Sequence, residues 1–439
     1  MYLRFILTKL IVFYYPQLQI LTIYCFGKLL LTKPTKKMKL SKLITLALFT
    51  TLLFTCENDV ISTDESIIKV DSQSLLIKSA KAELLSYIRE NNITPKKLEL
   101  VTSNSKSKSS SKSIVQGTTL SNIKDSDFYK SVVANAINGD DYECGPTDID
   151  SYIGGIIQDW DNGDFQLYYY FGGVAFDYVY VFENENGGQY YGTEGQDSNK
   201  INSTFKDLLR FWNIPTDILL RDAHGSVYND VEKVKSVLML YGYPEGDAVY
   251  FAGLLQVVYG SDKYFNFNHP LLTFNAFAAP ASDFFGTPKK IVMGDGILKA
   301  YEDLGFDDVA PQTILAHEYG HHIQFAKGVA FQNTPEGTRR TELMADAFAA
   351  YYLTHKRGAT MNWKRVQKFL ETQYLIGDCQ FGSPNHHGTP NQRMKAATFG
   401  YDVANDTKKK GKILTAEEFI ILFDAELPTI IEPDVVVLK

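Results

Sequence analysis

The chain has 439 residues, 45% of them hydrophobic and 22% charged, a balance that belongs to folded globular proteins and excludes disordered or fibrous ones. Its formal net charge is −7, but residues 1–55 hold eight of the 44 Lys and Arg and none of the 51 Asp and Glu, so the rest of the chain carries −15. A surface of that sign repels a phosphate backbone, which argues against nucleic acid as a partner.

Residues 1–37 contain apolar runs interrupted by Lys9, Pro16, Gln17, Gln19 and Lys28, and Met38 reads as the effective start. From there M-K-L-S-K forms a charged opening, L-I-T-L-A-L-F-T-T-L-L-F an apolar stretch too short to span a bilayer, and Thr55-Cys56 a break. A cysteine at that point resembles a bacterial lipoprotein signal, in which Cys56 becomes the lipidated first residue; an ordinary signal peptide cleaved nearby is the alternative. The expectation is an exported protein held by a lipid anchor on the outer membrane or cell surface, or a periplasmic or secreted one if the lipid is absent. In such an oxidising compartment Cys144 and Cys379 either pair or remain as two thiols.

Residues 56–122 read as a lipid-tethered segment. A helix is predicted from about Asp71 to Asn91, where Leu75, Leu76, Ile77, Ala80, Leu84, Leu85 and Ile88 fall mostly three or four apart. The Ser/Lys tract at 103–119 cannot bury a core and reads as a flexible linker. Residues 123–439 form the main domain. Between Gln166 and Gly195 the runs L-Y-Y-Y-F and V-A-F-D-Y-V-Y-V-F, split by Gly172-Gly173 and followed by the turn E-N-E-N-G-G, predict an antiparallel sheet. Residues 204–260 read as mostly helical, Leu271–Ala278 and Lys290–Met293 as strands, and the chain from Ala310 as helical almost to its end. The expected class is α+β, with a sheet preceding a mostly helical C-terminal half.

The chemistry concentrates in that half. In I-L-A-H-E-Y-G-H-H-I-Q, from Ile314, His317 and His321 are four apart and share one helix face, so both can bind one ion. Glu318 stands about 100° further round, at the edge of that face, placed to take a proton from water activated by the metal. Pro311 suits the first turn and Gly328 the stop, which predicts a helix over roughly 310–327. The continuation HExxH-x-x-G-x-x-H fails, because Gln324 and Lys327 occupy its positions. A catalytic zinc needs another protein ligand, and R-R-T-E-L-M-A-D-A-F-A-A-Y-Y-L offers Glu342 and Asp346 at i, i+4 on a second helix. Their neighbours are apolar, and charges inside such a helix are expensive without partners, which a metal and an imidazole would supply. The Glu-x-x-x-Asp spacing resembles that of zinc peptidases whose third ligand is a Glu, a resemblance that implies Glu342 as the third ligand and Asp346 as the acceptor for the outer nitrogen of a ligating imidazole.

In N-H-H-G-T-P-N-Q-R, Thr389, Pro390 and Gln392 make a capping box that begins a helix. His386 and His387 therefore lie just before a helix N-terminus. One of them, with His387 favoured, is placed to stabilise the oxyanion of a tetrahedral intermediate; the alternative is a loop histidine that only holds structure. His322 points about 100° away from His321 and reads as a buried structural residue. His224, His269 and His355 have no supporting neighbours in sequence. Tyr319, Tyr351 and Tyr352 read as core.

The segments A-H-E-Y-G-H-H-I-Q (316–324), E-L-M-A-D-A-F-A-A (342–350), I-G-D (376–378) and H-G-T-P-N-Q-R (387–393), in this order and spacing, resemble the bacterial neutral zinc metallopeptidases over roughly residues 285–405. The resemblance implies a zincin-like peptidase domain with His317, His321 and Glu342 on Zn2+ and Glu318 as the catalytic residue. The chain departs from that pattern at Ala396-Ala397-Thr398-Phe399, where a Trp-Phe pair is common, and at Cys379, where an acidic residue often stands. The expected activity is hydrolysis of peptide bonds in a peptide or protein substrate. The rivals are a surface lipoprotein that scaffolds partners around a structural zinc, and a metal-dependent amidase acting on cell-wall peptides.

Overall fold

Four of the described helices open on one local device: a Thr or Asp side chain accepts a backbone N–H in the first turn, while the side chain three residues on accepts the N–H of the cap itself. The device stands at Thr147 with Asp150, Asp161 with Asp164, Thr389 with Gln392 and Thr415 with Glu418. The computed structural model of the chain describes residues 65–90, 93, 146–375, 387–406 and 411–434. The readings made for Cys56, Cys144, Cys379, His386, the leader, the linker at 103–119 and I-G-D at 376–378 lie outside those residues. The chain divides into two compact units, Met1–Ile68 and Lys69–Lys439. Of the first, only the opening residues of one helix are described.

That helix, α1 (Glu65–Glu90), buries Ala80, Leu84 and Ile88 in the main core, and Lys81 pairs with Asp161 at 2.7 Å and Asp164 at 2.6 Å. Next come α2 (Asp148–Ile156), α3 (Asn162–Phe171), α4 (Val174–Phe182), α5 (Ser198–Phe211), β1 (Ile218–Ala223), α6 (Val231–Leu240), α7 (Glu245–Tyr259), β2 (Ala276–Ala279) and β3 (Lys289–Gly294). The series closes with α8 (Asp295–Asp303), α9 (Ala310–Lys327), α10 (Pro335–Thr354), α11 (Trp363–Leu375), α12 (Pro390–Asn405) and α13 (Ala416–Ile430). The described residues are thus mostly helical with one small sheet, an α+β composition.

The aromatic segment expected to form an antiparallel sheet forms α3 and α4 instead. Asp161 caps α3 through the N–H groups of Gly163 and Asp164. The residues it buries, Leu167 and Phe171 in α3, then Val174, Ala175 and Val179 in α4, follow helical and not alternating spacing. Conversely, β1 lies inside the stretch read as mostly helical. The expected strand Leu271–Ala278 divides into a 3-10 turn at Pro270–Thr273 and the shorter β2.

The sheet runs β1-β3-β2, with β1 parallel and β2 antiparallel to β3. One face, carrying Val292 and Ala223, packs on α4, and there the buried cations Lys290 and Arg221 cap its end: Lys290 Nζ donates to the Val179 and Tyr180 carbonyls, and Arg221 to those of Glu183 and Glu185. The other face, carrying Leu220, Ile291, Met293 and Ala276, belongs to the main core, and α9 packs against β2 and β3.

At the C-terminal ends of the parallel strands, His224 lies between two carboxylates, Nε2 at 2.5 Å from Asp222 and Nδ1 at 2.6 Å from Asp295, with the Tyr190 ring stacked on it at 3.9 Å. Burial alone would lower the His224 pKa, but the two carboxylates raise it to about 9. Its folded-state value exceeds the ordinary 6.5, so this stabilisation is complete below about pH 6.5 and is lost as pH climbs through about 9. The unfolding free energy is expected to fall by on the order of 2 kcal/mol across that window. In His224→Gln the change across the same window should differ from the parent's by that amount; urea unfolding of both at a series of pH values measures it.

Helix α12 meets α10 at Gly400, where a Cβ would lie 2.3 Å from the Ala347 carbonyl oxygen. Gly400→Ala should therefore lower the unfolding free energy by about 1–3 kcal/mol, read from the denaturant midpoint.

Candidate metal centre

Helix α9 begins near Pro311, and Gly328 stops it in the left-handed region, so its bounds are those the sequence predicts. It is buried on nearly every side from Ala310 to Gln324, a position that only a run of uncharged residues around the two histidines permits. Helix α10 starts on Thr334, which accepts the Gly337 N–H, and is buried without break from Thr341 to Leu353. The two helices approach closely because Gly320 faces Ala345, where a Cβ would come within 3.0 Å of the Ala345 Cα.

That crossing brings His317, His321 and Glu342 together, each offering a ligand atom within 4.8 Å of the others. The imidazole planes are nearly perpendicular, at 86°, with centroids 4.9 Å apart. His317 Nε2 lies 3.3 Å from Glu342 Oε2, and His321 Nε2 lies 3.6 Å from Glu342 Oε1. His317 Nε2 and Glu342 Oε2 are buried and make no hydrogen bond with each other or with other groups.

The outer ring nitrogens explain why. His317 Nδ1 sits 2.8 Å from Asp346 Oδ1, and that carboxylate accepts two further bonds from Arg393, Nε to Oδ2 at 2.8 Å and Nη2 to Oδ1 at 2.7 Å. His321 Nδ1 sits 3.0 Å from Gln324 Oε1. With Nδ1 donating in each ring, a neutral imidazole turns an Nε2 lone pair towards Glu342, and three acceptors converge on one point. Such a point demands positive charge. The group carries three buried carboxylates, Glu318, Glu342 and Asp346, none more than 4% exposed, against the single buried guanidinium of Arg393. The deficit of two charges is met either by protons on both imidazoles or by one divalent cation. These residues therefore fit a metal ion: two nitrogens and an oxygen, oriented, desolvated and otherwise unneutralised.

The electrostatics express the same demand. Burial disfavours a charged His317, yet Asp346 and the surrounding carboxylates raise it to about 10; His321 is raised too, by Glu342 against its burial. Burial pushes Glu342 upward, but His321, His387 and His317 hold it well below the usual carboxylate range. Glu318 is raised by burial, with the Ala278 backbone amide of β2 acting in the opposite sense. One of its oxygens, Oε1, is buried without a hydrogen-bond partner.

His387 is buried in the turn before α12, close enough to Glu342 for its charge to act on that carboxylate. His322 points away from the group: its Nε2 donates to the Lys290 carbonyl at 2.8 Å, and burial drops its pKa to about 4. Sequence reasoning did not single out Gln324, Arg393 or the Ala278 amide. Arg393 lies in H-G-T-P-N-Q-R, and a cation so near the start of the capping-box helix, against the helix dipole, is the signal in the sequence. The Ala278 contact depends on strand pairing and had none.

No family model matches the chain. An uncharacterized protein of Mycobacterium bovis and uncharacterized proteins of two strains of Mycobacterium tuberculosis are each 34% identical to it over 122 residues, 22% of this chain and 42% of each relative. The chain thus spans less than half the length of these relatives. No solved structure matches it. Among the described residues no helix is long and apolar enough to cross a membrane.

If Asp346 holds His317 for a cation, Asp346→Asn should weaken divalent-ion binding by about 10–100-fold, measured by competition with a chromophoric chelator. An unchanged affinity would remove Asp346 from the centre.

Proposed function

We propose that the chain is a zinc-dependent peptidase of zincin-like fold, exported and carried on a membrane by a lipid at Cys56. The observation that carries the catalytic reading is the convergence of His317, His321 and Glu342 on one point with Glu318 beside it. Two imidazoles and one carboxylate are a donor set of hydrolytic zinc sites that keep a position open. Among the described residues the group has three members, where a closed structural site has four.

A zinc ion bound here would supply a Lewis acid to polarise the scissile carbonyl and the attacking water. His317 and His321 would hold it through Nε2, and Glu342 through a carboxylate oxygen. Glu318 takes a proton from the attacking water and passes it to the leaving amine. Burial raises its pKa, which strengthens it as a base. His387 donates towards the substrate oxygen as negative charge develops there. The substrate backbone lies along the outer edge of β2. Gly294 N–H bonds to the Asn275 carbonyl, so alternate residues 275, 277 and 279 turn their backbone groups to β3, while Ala276 and Ala278 turn theirs outward. An extended peptide can pair with that edge through the Ala276 amide and the Ala276 and Ala278 carbonyls, while the Ala278 amide sets Glu318 beside it.

Glu318→Gln is expected to retain one zinc per chain by metal analysis while peptidase turnover falls by about 10²–10⁴-fold. A broad peptide library and peptidoglycan-derived peptides serve as parallel substrates. Undiminished turnover in Glu318→Gln refutes the assignment, and cleavage confined to the cell-wall peptides redirects it to an amidase.

A further inference from the structure

We infer that Gln324 is a positioning residue for the metal centre: its one side chain fixes the tautomer of His321 and ties it to the stretch of α10 that carries Glu342. The inference rests on reading the three-residue group as a metal centre.

Gln324 is fully buried one turn beyond His321 on α9. Its Nε2 donates to the Thr341 carbonyl at 2.7 Å, and a carbonyl only accepts, so the amide nitrogen must face α10. The amide oxygen then faces His321, with Oε1 3.0 Å from Nδ1. That oxygen accepts in turn, so the ring hydrogen belongs on Nδ1 and the Nε2 lone pair is left towards Glu342. Thr341 immediately precedes Glu342. A single amide therefore links one ligand to the backbone next to another, across the crossing of two helices.

The two imidazoles are held by unequal acceptors. His317 has the carboxylate of Asp346, clamped by Arg393, whereas His321 has a neutral amide, clamped by a backbone carbonyl. A second carboxylate in this role would add a buried negative charge beyond what Arg393 and one divalent ion offset. An amide gives the same orientation without that charge. The bland reading is that Gln324 merely joins α9 to α10 and that any side chain of its size would serve.

The test uses the full chain, with zinc affinity measured by chelator competition and the ligand geometry by the visible absorption of the Co2+ form. Gln324→Met keeps the length and removes both hydrogen bonds. Val237→Ala, a core change in α6, serves as a control for lost stability. The parent and Val237→Ala should bind one zinc with equal affinity. Gln324→Met should bind about 10–100-fold more weakly, with a shifted Co2+ spectrum. Affinity in Gln324→Met within about twofold of the parent, or an unshifted Co2+ spectrum, overturns the role. If Gln324→Met does not fold, nitrogen-15 spectra of the zinc-loaded parent decide. Hydrogen on Nδ1 and metal on Nε2 of His321 uphold it, and the reverse overturns it. A parent that binds no zinc brings down the metal reading together with this inference, whereas zinc bound equally by parent and variant brings down the inference alone.

Discussion

Negative charge buried between two helices is the constraint on which the rest of this structure depends. Glu318, Glu342 and Asp346 stand inside the crossing of α9 and α10, out of water, with one guanidinium among them. An isolated buried carboxylate is untenable, so everything around the group either supplies positive charge or directs it. Arg393 reaches in from α12 to clamp Asp346, and Asp346 in turn holds His317. The helices can approach this closely only because small residues line their contacts, with Gly320 against Ala345 and Gly400 against Ala347.

The sheet provides the remaining wall, and it does so by backbone groups as much as by side chains. The Ala278 amide of β2 faces Glu318, and the Lys290 carbonyl of β3 accepts from His322. Two adjacent histidines thereby acquire opposite character. His321 faces a carboxylate and favours positive charge, while His322 faces a carbonyl in a dry core and stays neutral. Nothing in the pair His-His distinguishes them except the 100° that one residue turns the helix.

That angle is the kind of information a sequence carries well. The bounds of α9, the shared face of Glu342 and Asp346, and the start of α12 at Pro390 follow from local rules of period and capping. The sheet was less legible. Tyr, Phe and Val dominate 167–182, and their strand preference outweighed the capping box at Asp161 and the i, i+4 burial of Leu167 with Phe171, which marked a helix. In β1, I-L-L-R-D-A shows no alternation, because almost every position is buried and Arg221 finds carbonyls to bond. The partners of His224 are Asp222 nearby and Asp295 far along the chain, brought together only by the parallel pairing of β1 and β3.

The two His–Asp clusters show what separates a structural histidine from a candidate ligand. His224, His269 and His355 each engage both ring nitrogens within the protein: two carboxylates for the first, a carbonyl and a backbone N–H for each of the others. No lone pair remains on them for an ion. His317 and His321 each engage only Nδ1, with an acceptor that fixes its hydrogen, and leave Nε2 directed at a carboxylate with which it does not bond well. A nearby acid is common to His224 and His317, so proximity of charge does not define the centre. The unengaged second nitrogen does, and it is set by the orienting acceptors, Asp346 and Gln324, as much as by the histidines themselves.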